Sequence, residues 1–169
     1  MTSSLLGDAV AHHLWATDRL IEECAALTPE QLATPIPGTY GSIIGTLRHL
    51  VASDRWYLSF FREGTEPIDE DADVGLDELR SAMAASGVAW MELLAGAVDP
   101  DLDIVEVDGG LEVHSPASLR LAQVVHHGTD HRSQVCTALT ALGRTPPEID
   151  VWAYARATGR ERGVETGAQ

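Results

Sequence analysis

The segment that opens at Ser115-Pro116 and closes at Gly143 limits what this chain can build more than any other. Serine followed by proline is the chemistry of a helix start, and glycine suits the position just past a helix end. Between them Val124, His127, His131, Val135, Ala138 and Leu142 recur at steps of three and four. That is the stripe an amphipathic helix turns toward a core. The spacing predicts one long helix, to about Leu142, with His127 and His131 stacked one turn apart on its buried face. His126 lies five residues before His131 and turns to the side of the helix, so the two adjacent histidines part on spacing alone.

A long helix with one apolar face needs partners, and the rest of the chain supplies them. Leu6, Val10, Leu14, Leu20 and Leu27 predict a first helix from about Ser4 to Ala26. Thr28-Pro29-Glu30 reads as an N-cap, a proline at the first helical position and an acid in the first turn of a short helix. Pro35, Pro37 and Gly38 mark a loop. Ser42 then caps a second long helix, about Ile43 to Arg62, which Gly64 and Pro67 end. After an acidic loop, Leu79, Met83, Trp90 and Leu94 stripe a third helix over Leu76 to Val98. Residues 103 to 114 alternate around Asp108-Gly109-Gly110, which predicts a short hairpin or an extended connection. Glu148 to Ala157 forms a last short helix. The pattern specifies an all-α four-helix bundle with a short crossover before the fourth long helix. The 169 residues fit one domain, placed at 1–158, followed by a polar tail at 159–169.

Charge narrows the partners. A net charge of −15 repels nucleic-acid phosphates and anionic lipid heads. Cys24 and Cys136 are too few for a disulfide framework and read as small hydrophobes. The N-terminal residues carry no basic segment or long apolar run, and no stretch reaches the ~18 apolar residues of a membrane span. The expected setting is the cytoplasm, without membrane or nucleic acid.

The histidines carry the chemistry. Imidazoles four residues apart on one helix can chelate a single ion. His49 sits on the second long helix in a stripe with Gly45, Ala52 and Trp56, and the two small residues leave space beside it. His49, His127 and His131 together offer three neutral nitrogens from two facing helices, the donor set of a metal site that keeps an open position. The competing reading is that these imidazoles simply pack in the core. Among the neighbours, Asp54 is either a general base or a salt-bridge acid, and its angular offset from His49 favours the salt bridge. Arg132 reads as the partner of an acid on a neighbouring helix, although it or Gln134 could orient a substrate. His12 and His13 read as a solvated face or dimer seam, His114 as exposed, and Cys136 as off the metal stripe.

The run His126-His127-Gly128-Thr129-Asp130-His131-Arg132-Ser133-Gln134, then Leu142-Gly143-Arg144-Thr145-Pro146-Pro147, resembles the signature of the DinB-like (YfiT-like) metalloenzymes. Ser42-Ile43-Ile44-Gly45-Thr46-Leu47-Arg48-His49-Leu50 resembles the family's second helix, and Leu14-Trp15-Ala16 with Arg19-Leu20 resembles its first. The likeness runs to about residue 155. It implies a four-helix bundle, often homodimeric, with a three-histidine site for zinc, nickel or a similar divalent ion. Matched by position, the ligands are His49, His127 and His131. His126 stands where the family usually has Asn, Ser133 where it has Gly, and Thr17 where it has Asn; Asp130 falls where His or an aromatic is common. None of these removes a ligand. The resemblance implies a metal-dependent enzyme acting on a small molecule. The leading reading is transfer of a low-molecular-weight thiol to an electrophile. The rivals are a metal-dependent hydrolase and a non-catalytic metal-binding stress-response protein.

Overall fold

The computed structural model describes residues 4–163. Helix α1 spans Leu5–Cys24, capped by the Ser4 hydroxyl, which accepts from the Gly7 amide at 3.0 Å. The short α2, Pro29–Ala33, begins in a reciprocal cap: Thr28 Oγ1 accepts from Gln31 N–H while Gln31 Oε1 accepts from Thr28 N–H. Helix α3 spans Ile43–Ser59 with Ser42 as its cap, and α4 spans Leu76–Ala95. Both end three residues before the sequence pattern suggested. Each of the four long helices lies where a stripe was read.

The crossover is a hairpin. Strands β1, Asp103–Asp108, and β2, Leu111–Pro116, pair antiparallel from Asp103↔Pro116 to Asp108↔Leu111. Gly109 and Gly110 occupy the turn with φ of 55° and 84°, a tight connection that needs positive φ at both places. The pairing corrects one expectation. Ser115 does not cap the next helix: it stays in the strand opposite Ile104, and its hydroxyl accepts from Arg120 Nε at 3.0 Å. Helix α5, Ala117–Ala141, therefore starts directly from Pro116. It stops at Gly143, φ 72°, where the amides of Gly143 and Arg144 bond back to the carbonyls of Thr140 and Leu139. Helix α6, Val151–Ala157, starts at Asp150, later than expected, because that carboxylate caps it through the Ala153 amide at 2.7 Å. Residues 159–163 are exposed and the remainder of the expected tail lies outside the described residues.

The long helices form a closed ring of neighbours: α1 packs on α4 and α5, and α3 packs on α4 and α5. Two apolar clusters fill the interior. One contains Leu20, Ile21, Leu47, Leu50, Leu79, Met83, Val135 and Leu139; the other contains Val10, Leu58, Trp90, Leu121 and Val124. Between them each helix places a buried polar group: His13 and Thr17 on α1, Asp54 on α3, Ser86 on α4, Arg132 on α5. That layer lies beside His127 and His131 of α5.

Candidate metal centre

The close packing of α3 on α5 brings His49 to His127 and His131. One ring nitrogen from each lies within 4.8 Å of the others. His49 Nε2 and His127 Nε2 are 3.1 Å apart, and the His127 and His131 ring centroids are separated by 4.3 Å. His131 is buried and the other two are half-buried. The three residues chosen from spacing thus converge on one point, and His126 is exposed outside it.

The protonation pattern suits a cation. Glu70 Oε2 lies 2.8 Å from His49 Nδ1. A carboxylate accepts, so Nδ1 carries the proton and the Nε2 lone pair faces the other histidines. Burial, then the neighbouring His131 and His49, pushes His127 down to about 4. Burial and His49 also lower His131, against the Gln134 side-chain oxygen, which favours the protonated ring by accepting from it. Both rings are neutral at pH 7, the state that ligates. Among the described residues His131 Nδ1 is buried without a hydrogen-bond partner. A buried polar atom left so is costly unless something outside the protein chain satisfies it. Donors on a shared divalent ion at 2.0–2.1 Å stand roughly 3.3 Å apart in a tetrahedral arrangement. The 3.1 Å nitrogen pair is close to that separation. The residues present therefore fit a metal ion of the borderline, nitrogen-preferring kind.

Tyr40 closes one side of the cluster. Its ring stacks on His49 at 4.2 Å and meets His131 edge-on at 5.1 Å. Its backbone N–H donates to Gln134 Oε1 at 2.8 Å, which ties the α2–α3 loop to α5. Gly38 and Gly41, with φ of 83° and 142°, bend the chain on either side. Neither Tyr40 nor Glu70 was singled out from sequence. Both sit in loops, where no periodicity reports what a side chain faces; the only available signal was the acidic character of residues 66–73.

The other candidates fall elsewhere. Asp54 is 2% exposed and accepts from Trp90 Nε1 at 3.1 and 3.2 Å and from His13 Nε2 at 3.2 Å. The offset from His49 thus separated it correctly from the ligand candidates. Among the described residues Arg132 has no direct acid partner, contrary to expectation. Its Nη1 donates to His13 Nδ1 at 2.7 Å and Thr17 Oγ1 at 3.3 Å, and its Nη2 to Thr129 Oγ1 at 3.2 Å. Because arginine only donates, His13 Nδ1 accepts and its proton sits on Nε2, aimed at Asp54. His13 is therefore a core residue, 1% exposed, and not part of a solvated seam. His12 is half-buried against the Ile149 carbonyl at 2.8 Å, and His114 is exposed beside Asp103. Burial raises the Cys136 thiol, and that residue lies outside the histidine cluster.

Among the described residues no helix is long and apolar enough to cross a membrane. No curated protein matches the chain. The DinB family model does match it, over residues 1–165. The chain, a helical bundle with three converging histidines, belongs to the DinB family.

Proposed function

We propose that this four-helix bundle is a metal-dependent enzyme that transfers a low-molecular-weight thiol to an electrophile, with His49, His127 and His131 as ligands of one zinc or nickel ion. The observation that carries this reading is the convergence of three ring nitrogens within 4.8 Å, with one buried nitrogen unpartnered. A divalent ion held by three neutral imidazoles keeps its full charge and, when bound, favours the thiolate of a thiol or lowers the pKa of water toward ~7. Glu70 fixes the His49 tautomer and keeps its Nε2 free to ligate. Tyr40 stacks over the His49 face of the cluster. Tyr57 packs edge-on against His127 at 5.9 Å and also lines a groove of about 450 Å³ with Trp56, Arg120, Gln123 and His126. That volume suits a small organic substrate, and Tyr57 would place it beside the centre. In this reading the protein works in the cytoplasm, and as a homodimer, which the family resemblance implies.

Elemental analysis of protein purified without a polyhistidine tag tests the first half. Stoichiometric zinc or nickel is expected, and its absence after reconstitution sinks the proposal. A panel of thiols and electrophiles tests the second. Metal-loaded protein that turns over esters or amides but no thiol pair would make it a hydrolase, and no turnover at all would favour a non-catalytic metal-binding role.

A further inference from the structure

Each of the four long helices contributes a side chain to one buried hydrogen-bonded chain. Arg132 of α5 donates to His13 of α1, His13 donates to Asp54 of α3, and Trp90 of α4 donates to the same carboxylate. The chain has one tautomer and one direction, set by an arginine that can only donate and a carboxylate that can only accept. Its charges are Arg132 at one end and Asp54 at the other, joined through the neutral His13 ring. His13, Asp54 and Arg132 lie between the two apolar clusters, and Trp90 reaches them from the second, so sliding one helix along another would break the match.

Helix α5 makes room for this chain at Gly128. A Cβ there would stand 2.3 Å from both Cε1 and Nδ1 of His13 and 2.8 Å from Arg132 Nη1. Contacts that short are forbidden, so only glycine lets the imidazole press against the α5 backbone. Gly128 and Arg132 each follow a candidate ligand by one residue. The two turns that present His127 and His131 to α3 are thus the two turns that grip His13 on another side. His13 in turn reaches α3 through Asp54, five residues along from His49.

We propose that the Arg132–His13–Asp54–Trp90 chain, seated on Gly128, is the positioning device of the metal centre. It fixes how α5 sits against α3, and so the span between His49 and the His127–His131 pair. Ligand nitrogens must each reach a common ion at 2.0–2.1 Å, so small displacements of α5 are felt as lost affinity and altered geometry. This inference rests on the metal-centre reading above.

The test is titration of the tag-free protein with Co(II), reading both affinity and the visible ligand-field absorption. Gly128→Ala is expected to weaken Co(II) binding by roughly tenfold or more and to change the band shape. His13→Ala should do the same. Adding Gly128→Ala to His13→Ala should cost no more than about twofold further, because the ring is then gone and the Arg132 guanidinium, the one remaining close neighbour, can move into its space. Should Gly128→Ala fail to fold, Trp90→Phe and Asp54→Asn keep the shape of the layer and weaken its hydrogen bonds, and both should alter the spectrum. The inference is overturned if folded variants lose thermal stability yet keep wild-type Co(II) affinity and absorption, since that is a purely structural role. If wild-type protein binds neither Co(II), Zn(II) nor Ni(II), the metal-centre reading fails first and this inference with it.

Discussion

Two polar clusters share the same two turns of α5 and differ in almost every other respect. On one side, His127 and His131 meet His49 in a half-buried group with a ring nitrogen that has no partner. On another, Gly128 and Arg132 meet His13, Thr17 and Asp54 in a layer that is nearly solvent-free and in which the histidine nitrogens are both hydrogen-bonded. Both contain histidine, and both were drawn from residues adjacent in sequence. What separates them is satisfaction. A buried polar chain in which both nitrogens of its histidine are partnered holds helices in one arrangement, even with Ser86 Oγ nearby left without a partner among the described residues. A cluster of desolvated, neutral imidazoles with a free lone pair is built to receive something.

The contrast can be broken most sharply at Asp54. Asp54→Ala leaves Arg132 buried without its counter-charge and should cost about 3–5 kcal/mol of stability, read as a lower denaturant midpoint at unchanged m value. His127→Ala should do the reverse. Metal affinity should fall by more than roughly 100-fold, beyond what losing a ligand's neighbour costs. The melting temperature of metal-free protein should barely move. Equal destabilisation by both variants would erase the distinction between the clusters. A smaller effect belongs to Glu70→Ala, which frees the His49 tautomer and should weaken metal binding by roughly tenfold in a calorimetric titration.

The smallest test is pH. His127 titrates in the fold near 4, below its ordinary value of 6.5, and His12 and His131 are lowered in the same direction. The unfolded chain therefore takes up protons first as the solution is acidified. The contribution of His127 is fully present above pH 6.5 and drains away toward about 4, and those of His12 and His131 fall in the same direction. Metal-free protein should lose stability over that window, and His127→Ala should flatten the slope. An unchanged slope in the variant would mean that His127 is not held neutral by the fold.

How much of this was legible beforehand follows from periodicity. The stripe on α5 put His127 and His131 on one face, and a second stripe put His49 opposite, because helical spacing reports burial directly. The same logic separated His126 and turned Asp54 away from the ligands. It could not decide between His12 and His13, since adjacent residues on α1 both border its apolar face. It said nothing of Tyr40 or Glu70, which reach the cluster from loops whose paths depend on tertiary packing. Arg132 misled for another reason: its acid is Asp54, but an imidazole stands between them, and sequence gives no sign of such an intermediary. Ser115 misled because strand pairing overrode a local cap.

One contact far from the histidines has its own consequence. Arg160, just past α6, holds Asp8 in the first turns of α1 through two bonds of 2.6 and 2.9 Å. The two ends of the described chain therefore meet on one side of the molecule. The Gly109–Gly110 turn stands at the tip of the exposed hairpin. A gene rearranged to begin at Gly110 and end at Gly109, with a short linker from residue 163 back to residue 4, would read the helices in a new order without cutting any of them. In such a permutant α5 would be made first, so its two histidines would emerge before α3 brings the third.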